Sequence, residues 1–205
     1  KESLKPSPEK KSRQGQLSLF ASSRSEEIQA LRCLIILPAS LIFNWYEEIK
    51  KFTPHLHVVR SIGANREGFA EQLDTFDIVL TTYQTAIRDY PVLSTIPWRY
   101  IVLDESQMIK NKTSKTFQTI TALSAEHKIS LSGTPIENSL SDLWSQMEFI
   151  NPGMLGSFSF FREQYQLPIE KESDKEALNH LRSLVEPFIL RRRKAEVATD
   201  LPELT

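Results

Sequence analysis

The sequence predicts an α/β domain, a parallel sheet flanked by helices and followed by a helical appendage. Short apolar runs alternate with amphipathic stretches from residue 31 to residue 150. The runs are continuous in Val, Ile and Leu, as strands buried on both faces require. Beyond Asn151-Pro-Gly153 only helical spacing remains.

Three stretches are expected along the chain. Residues 1–30 hold seven serines, two prolines and scattered charge without a sustained apolar period, and are expected to form a solvated loop or tail. Strand and helix pairs then follow at 31–37 with 40–52, 56–62 with 66–73, 77–82 with 83–90, 99–103 with 113–123, and 127–131 with 139–150. Leu41, Trp45, Ile49 and Phe52 share one helical face after Ser40, and Leu140, Leu143, Trp144 and Met147 share another after Ser139. Ser40 and Ser139 are expected as N-caps and both stripes as core. Residues 151–205 form the helical extension, with Ala177, Leu178, Leu181, Leu184 and Val185 as its apolar stripe.

Composition excludes several classes. Of 205 residues, 40% are hydrophobic and 25% charged, as in an ordinary globular domain that folds without a disulfide or metal staple. The longest unbroken apolar run, Cys33 to Leu37, is far below the roughly 20 residues that cross a bilayer. Cys33 is the only cysteine, so no disulfide forms within the chain and a reducing, cytoplasmic setting is expected, nuclear if the source is eukaryotic. Twenty-five Lys and Arg against 26 Asp and Glu provide no bulk attraction to a polyanion, so nucleic-acid contact requires a local patch. His55, His57, His127 and His180 show no metal-ligand pairing, Met108, Trp45, Trp98 and Trp144 are expected in the core, and the run Arg191 to Lys194 is expected to be solvated. Because the chain starts at Lys1 rather than Met, it is expected to be a piece of a longer protein.

Ligands of such sheets collect beyond the carboxyl ends of the strands. Tyr100-Ile-Val-Leu103 runs into Asp104-Glu105, two carboxylates at a strand end. One can hold Mg²⁺ through its waters while the other polarises an attacking water, the Walker B arrangement of a nucleotide hydrolase. A solvated strand end has the same Asp-Glu, but the following Ser106-Gln107 makes the pattern far less common. Ser132-Gly-Thr-Pro135 ends the next strand with hydroxyls able to bridge those carboxylates to the opposite face, although such residues also build plain turns. Ser40 opens a helix after a strand and aims backbone N–H groups at the space above the sheet, a seat for phosphate as well as an ordinary cap. Asn44, Thr81-Thr-Tyr83 and Lys110-Asn-Lys112 extend that seat into a track that would grip nucleic-acid backbone with little sequence preference. Gly63-Ala-Asn-Arg-Glu-Gly68 has phosphate-loop glycine spacing, but Phe69 and Ala70 replace the required Lys and Ser/Thr, so no Walker A element is assigned.

In order, Leu34-Ile-Ile-Leu-Pro-Ala-Ser-Leu-Ile-Phe-Asn-Trp45, Asp77-Ile-Val-Leu-Thr-Thr-Tyr83, Leu103-Asp-Glu-Ser-Gln-Met-Ile-Lys-Asn111 and Leu131-Ser-Gly-Thr-Pro-Ile-Glu-Asn138 resemble motifs Ia, Ib, II and III of the Swi/Snf-type DNA translocases of helicase superfamily two. Asn151-Pro-Gly-Met-Leu-Gly156 and Pro187-Phe-Ile-Leu-Arg-Arg-Arg-Lys-Ala-Glu-Val197 with Leu201-Pro202 resemble that family too. Gln107 and Ile109-Lys-Asn111 are more similar to its prokaryotic branch than to the chromatin remodellers, where His is usual at the position of Gln107.

The resemblance implies a RecA-like first lobe of an ATPase that is stimulated by double-stranded DNA, translocates on it and remodels protein–DNA complexes. It implies ATP and Mg²⁺, with Asp104 holding the metal, Glu105 activating water and Gln107 sensing the γ-phosphate. Ser132, Gly133 and Thr134 would couple nucleotide state to the DNA-facing residues Ser40, Asn44, Thr82, Tyr83, Lys110 and Asn111. Partners implied are duplex DNA, DNA-bound proteins such as RNA polymerase, and a second lobe of the same parent chain. The triphosphate loop is expected upstream and the second lobe with its arginine finger downstream, so this chain alone is expected to be inactive. The alternatives are a retired lobe that binds DNA or protein, and a flavodoxin-like signalling or binding domain sharing the same sheet.

Overall fold

The computed structural model describes residues 31–62, 75–133 and 139–191. Five parallel strands, β1 (Cys33–Leu37), β2 (Val58–Ser61), β3 (Ile78–Thr82), β4 (Trp98–Leu103) and β5 (Ala125–Ser130), lie in the order β2-β3-β1-β4-β5. Flavodoxin-like sheets run 2-1-3-4-5. Here β1 pairs with β3 and β4 and never touches β2, which overturns the flavodoxin-like alternative.

Alternation along the strands divides the core in two. Leu34 and Ile36 join one cluster, and Cys33, Ile35 and Leu37 join the other, as a two-residue period requires. Helix α1 (Ile42–Phe52) covers the second cluster, packing on β2 and β3 with Trp45, Tyr46 and Ile49. The first cluster lies under α2 (Tyr83–Arg88), α3 (Tyr90–Leu93), α4 (Lys115–Thr121) and α5 (Leu140–Ile150). Connections leave β1 and β4 on opposite faces and in opposite directions, so the crevice between their carboxyl ends is the topological switch point.

The extension is helical, with α6 (Phe158–Phe161), a π-helical turn (Arg162–Gln166), α7 (Leu167–Glu172) and α8 (Lys175–Val185). Phe161, Tyr165, Leu181 and Val185 carry it into the main cluster. Gly156 precedes it with φ +71°, and its carbonyl accepts the Trp144 indole N–H at 3.1 Å. A Cβ there would meet the Phe160 ring at 2.7 Å, so both conformation and space call for glycine.

Several expectations are corrected. Ser40 caps nothing: it sits exposed in a 3₁₀ turn (Ala39–Leu41), and α1 starts at Ile42 without a side-chain cap. Phe52 is 71% exposed because α1 ends there, one turn past the last residue with sheet beneath it. Leu178 and Leu184 are exposed, since α8 meets the domain along the narrower Leu181–Val185 edge, and Met108 points outward from its turn. Strand β5 is an edge, so Ile129 and Leu131 remain accessible rather than buried on both faces. Strand pairing also lengthens it toward Ala125, which lies opposite Trp98. The expected helix at 66–73, the glycines at 63–68, the tail at 1–30 and most of the basic run lie outside the described residues.

Candidate functional site

The site begins where β4 stops. The Asp104 amide donates to the Ile36 carbonyl at 2.9 Å, carrying the ladder one residue past Leu103 and placing Asp104 at the switch-point crevice. Both carboxylate oxygens are held: Oδ1 accepts the Glu105 amide at 2.9 Å, and Oδ2 accepts the Trp45 indole N–H at 2.7 Å. From below, the Tyr83 hydroxyl donates to the Asp104 carbonyl at 2.8 Å.

Glu105 has φ 51° and ψ 51°, the left-handed region that a side chain other than glycine or asparagine enters at a cost of about 1–3 kcal/mol. Such strain persists where surrounding contacts over-determine it. The turn is clamped on its far side by the Ser106 amide, which donates to the Leu131 carbonyl at 2.9 Å. The reversal starts a 3₁₀ turn (Ser106–Ile109) that brings Gln107 back over Glu105. Gln107 Nε2 donates to Glu105 Oε2 at 2.5 Å, and Gln107 Oε1 accepts the Ser132 hydroxyl at 3.2 Å. A polar relay therefore runs from Glu105 through Gln107 to the end of β5. Ser106 is fully buried beneath it, and its hydroxyl has no hydrogen-bond partner among the described residues.

The expected site residues separate into three groups. Asp104, Glu105, Gln107 and Ser132 converge. Gly133 follows Ser132 on the surface, and Thr134 lies outside the described residues. Ser40, Asn44, Lys110 and Asn111 are exposed. Asn111 also organises its loop: its Oδ1 accepts the Thr113 amide at 3.0 Å, and its carbonyl accepts from Ser114, the N-cap of α4.

Thr82 and Tyr83 do not fit the DNA-facing expectation, being 7% and 1% exposed. Thr82 caps α2 by accepting the Thr85 amide at 3.1 Å, while Tyr83 buttresses Asp104. Burial raises the Tyr83 phenol, with Asp104 and then Glu105 adding to the shift, so it stays a neutral donor. Hydroxyls after a strand look alike in sequence whether they face solvent or the next helix.

Sequence reasoning placed Trp45 with the core and missed its contact with Asp104. Its spacing matches the α1 stripe, but a half-buried indole needs a partner for its N–H, and that need is the signal available beforehand. Trp98 and Trp144 satisfy theirs on backbone carbonyls.

Among the described residues no three His, Cys, Asp or Glu side chains converge on a metal position. Mg²⁺ does not need them, because it keeps several waters and takes one or two carboxylates together with substrate phosphates. Asp104, fixed by two hydrogen bonds at the mouth of the crevice, fits that donor set.

Comparison with known proteins shows the family and the fold. The SNF2-related domain family matches residues 6–205. YwqA of Bacillus subtilis, whose name describes an ATP-dependent helicase/translocase, is 44% identical over 83% of this chain and 19% of its own length. TATA-binding protein-associated factor MOT1 of Saccharomyces cerevisiae is 39% identical over 89% of this chain and 10% of its own. Among solved structures, the Sulfolobus solfataricus SWI2/SNF2 ATPase core in complex with double-stranded DNA superposes with a TM-score of 0.77 at 43% identity, covering 86% of this chain and 37% of that one. This chain thus spans about a fifth or less of these two curated relatives.

Proposed function

The chain belongs to the SNF2-related domain family, and on that premise we propose that it is the first RecA-like lobe of an ATPase that is stimulated by duplex DNA and translocates along it. The observation that carries this reading is the relay from Glu105 through Gln107 to Ser132 beside a doubly anchored Asp104. A solvated strand end has no use for such ties.

Asp104 would hold Mg²⁺, which neutralises charge on the β- and γ-phosphates when bound with ATP. Glu105 is the acceptor for a proton of the attacking water, and its strained backbone fixes the carboxylate's direction. Gln107 holds one carboxylate oxygen of Glu105 and reports its position to Ser132. Gly133 and Thr134 would continue that coupling. The exposed residues Ser40, Asn44, Lys110 and Asn111 follow the ends of β1 and β4, and supply the DNA-backbone contacts of this reading.

The triphosphate loop and the transition-state arginine would come from other parts of the parent, so the isolated chain would show negligible turnover. A DNA-bound protein would be the object of remodelling. Names among the relatives speak of TATA-binding protein and chromatin. The expected compartment is the one that holds the DNA.

The test is ATP hydrolysis by the full parent and its Glu105→Gln variant, with and without linear duplex. Stimulation by DNA that the variant loses supports the motor. DNA binding without hydrolysis by either protein would make this a retired lobe used for binding.

A further inference from the structure

A groove of about 480 Å³ lies between the loop that leaves the catalytic turn and the helical extension, lined by Lys112, Phe158, Ser159, Arg162, Glu163 and Leu167. Lys112 and Arg162 face it together, and among the described residues neither forms an ion pair. Two cations so close repel unless an anion joins them. Loss of hydration first, and the Arg162 charge second, lower the Lys112 ammonium below the ordinary lysine value.

The groove's chemistry restricts its ligand. Lys112 Nζ already sits 2.9 Å from the centre of the Phe158 ring, so that face is taken and cannot stack a base. Two cations against the single carboxylate of Glu163 leave one net positive charge. That matches a phosphodiester and is overfilled by a nucleoside triphosphate. The π-helical turn that carries Arg162 is a rare conformation, often found at functional sites.

We propose that this groove binds a backbone phosphate of duplex DNA, extending the contact track from Lys110 and Asn111 onto the helical extension. The inference rests on the DNA-binding reading above. Its mechanical basis is short: the Ser145 hydroxyl donates to the Lys110 carbonyl at 3.0 Å, fixing the loop to α5, and Phe158 stands edge-on to Trp144 of that helix with ring centres 5.2 Å apart. DNA held at Lys112 therefore pulls on the segment that begins at Asp104 and Glu105.

The test is duplex-DNA binding by the full-length parent, followed by fluorescence anisotropy across a salt series. Lys112→Gln with Arg162→Gln is expected to weaken binding several-fold and to reduce the slope of log K against log salt by about 0.9, the value for one phosphate. Glu163→Gln is expected to tighten binding, a gain that misfolding cannot imitate. Lys110→Gln serves as the reference for the DNA track. If Lys110→Gln weakens binding while the double variant keeps the wild-type slope, the groove proposal is overturned and the DNA reading stands. If the wild-type parent binds no duplex at all, the DNA reading itself fails and takes the groove with it.

Discussion

The Trp45 indole N–H donates to Asp104 Oδ2 at 2.7 Å, joining the helix after β1 to the carboxylate at the end of β4. Asn44, the preceding residue, is exposed on the outer side of the same helix. A movement of α1 at its outer face therefore reaches the Asp104 carboxylate through one side chain. In the proposed motor this is a direct mechanical path between DNA and nucleotide.

Trp45→Phe keeps most of the packing and deletes that donor. Hydrogen bonds to charged groups contribute about 1.5–3 kcal/mol, so urea unfolding of the chain should show a loss of roughly that size. In the parent, DNA stimulation of hydrolysis should fall more than basal turnover. Equal losses in both rates would mean that Trp45 only supports the fold.

Gln107→Leu cuts the relay at its centre, whereas Ser132→Ala removes only its far end. The first should lower kcat of the parent by at least tenfold with ATP affinity nearly unchanged. The second should leave basal turnover close to wild type and weaken its response to DNA. Parallel kcat and KM measurements, with and without duplex, separate these outcomes.

Strain and function trade against each other at the turn. Glu105→Gly relieves the left-handed conformation and should leave stability unchanged or raise it by up to about 1 kcal/mol while abolishing hydrolysis. Ser106→Ala removes a buried hydroxyl without a partner among the described residues, and should stabilise by about 1 kcal/mol with activity retained. Thermal melting beside a turnover assay reads both, and a marked destabilisation by either variant would contradict the geometry.

Burial in β1 pushes the Cys33 thiol from 9.0 up to about 12. Folding therefore favours the protonated thiol. The unfolded chain loses its proton first, so this contribution is complete below pH 9.0 and disappears as pH rises toward about 12. Cys33→Ala should show a flatter decline in unfolding free energy across that window. An identical decline in both proteins would remove Cys33 from the account.

Much of this protein was determined locally. Continuous apolar runs make strands that bury both faces, and β1 and β3 do so along their whole length. Asp104-Glu105 at the end of such a run needs no tertiary knowledge to be noticed, and neither does Ser139 as a cap. What only the tertiary structure decided is which polar side chains face one another. Thr82, Tyr83 and Trp45 sit at positions whose spacing is compatible with solvent or interior, and strand order selected the answer by placing β1 between β3 and β4. That order brings the Trp45 helix and Tyr83 against Asp104, and β5 beside it supplies Ser132. Periodicity along a chain reports how many faces an element buries. Which neighbour fills each face depends on contacts between residues 21, 25 and 59 positions apart, and no local pattern encodes them.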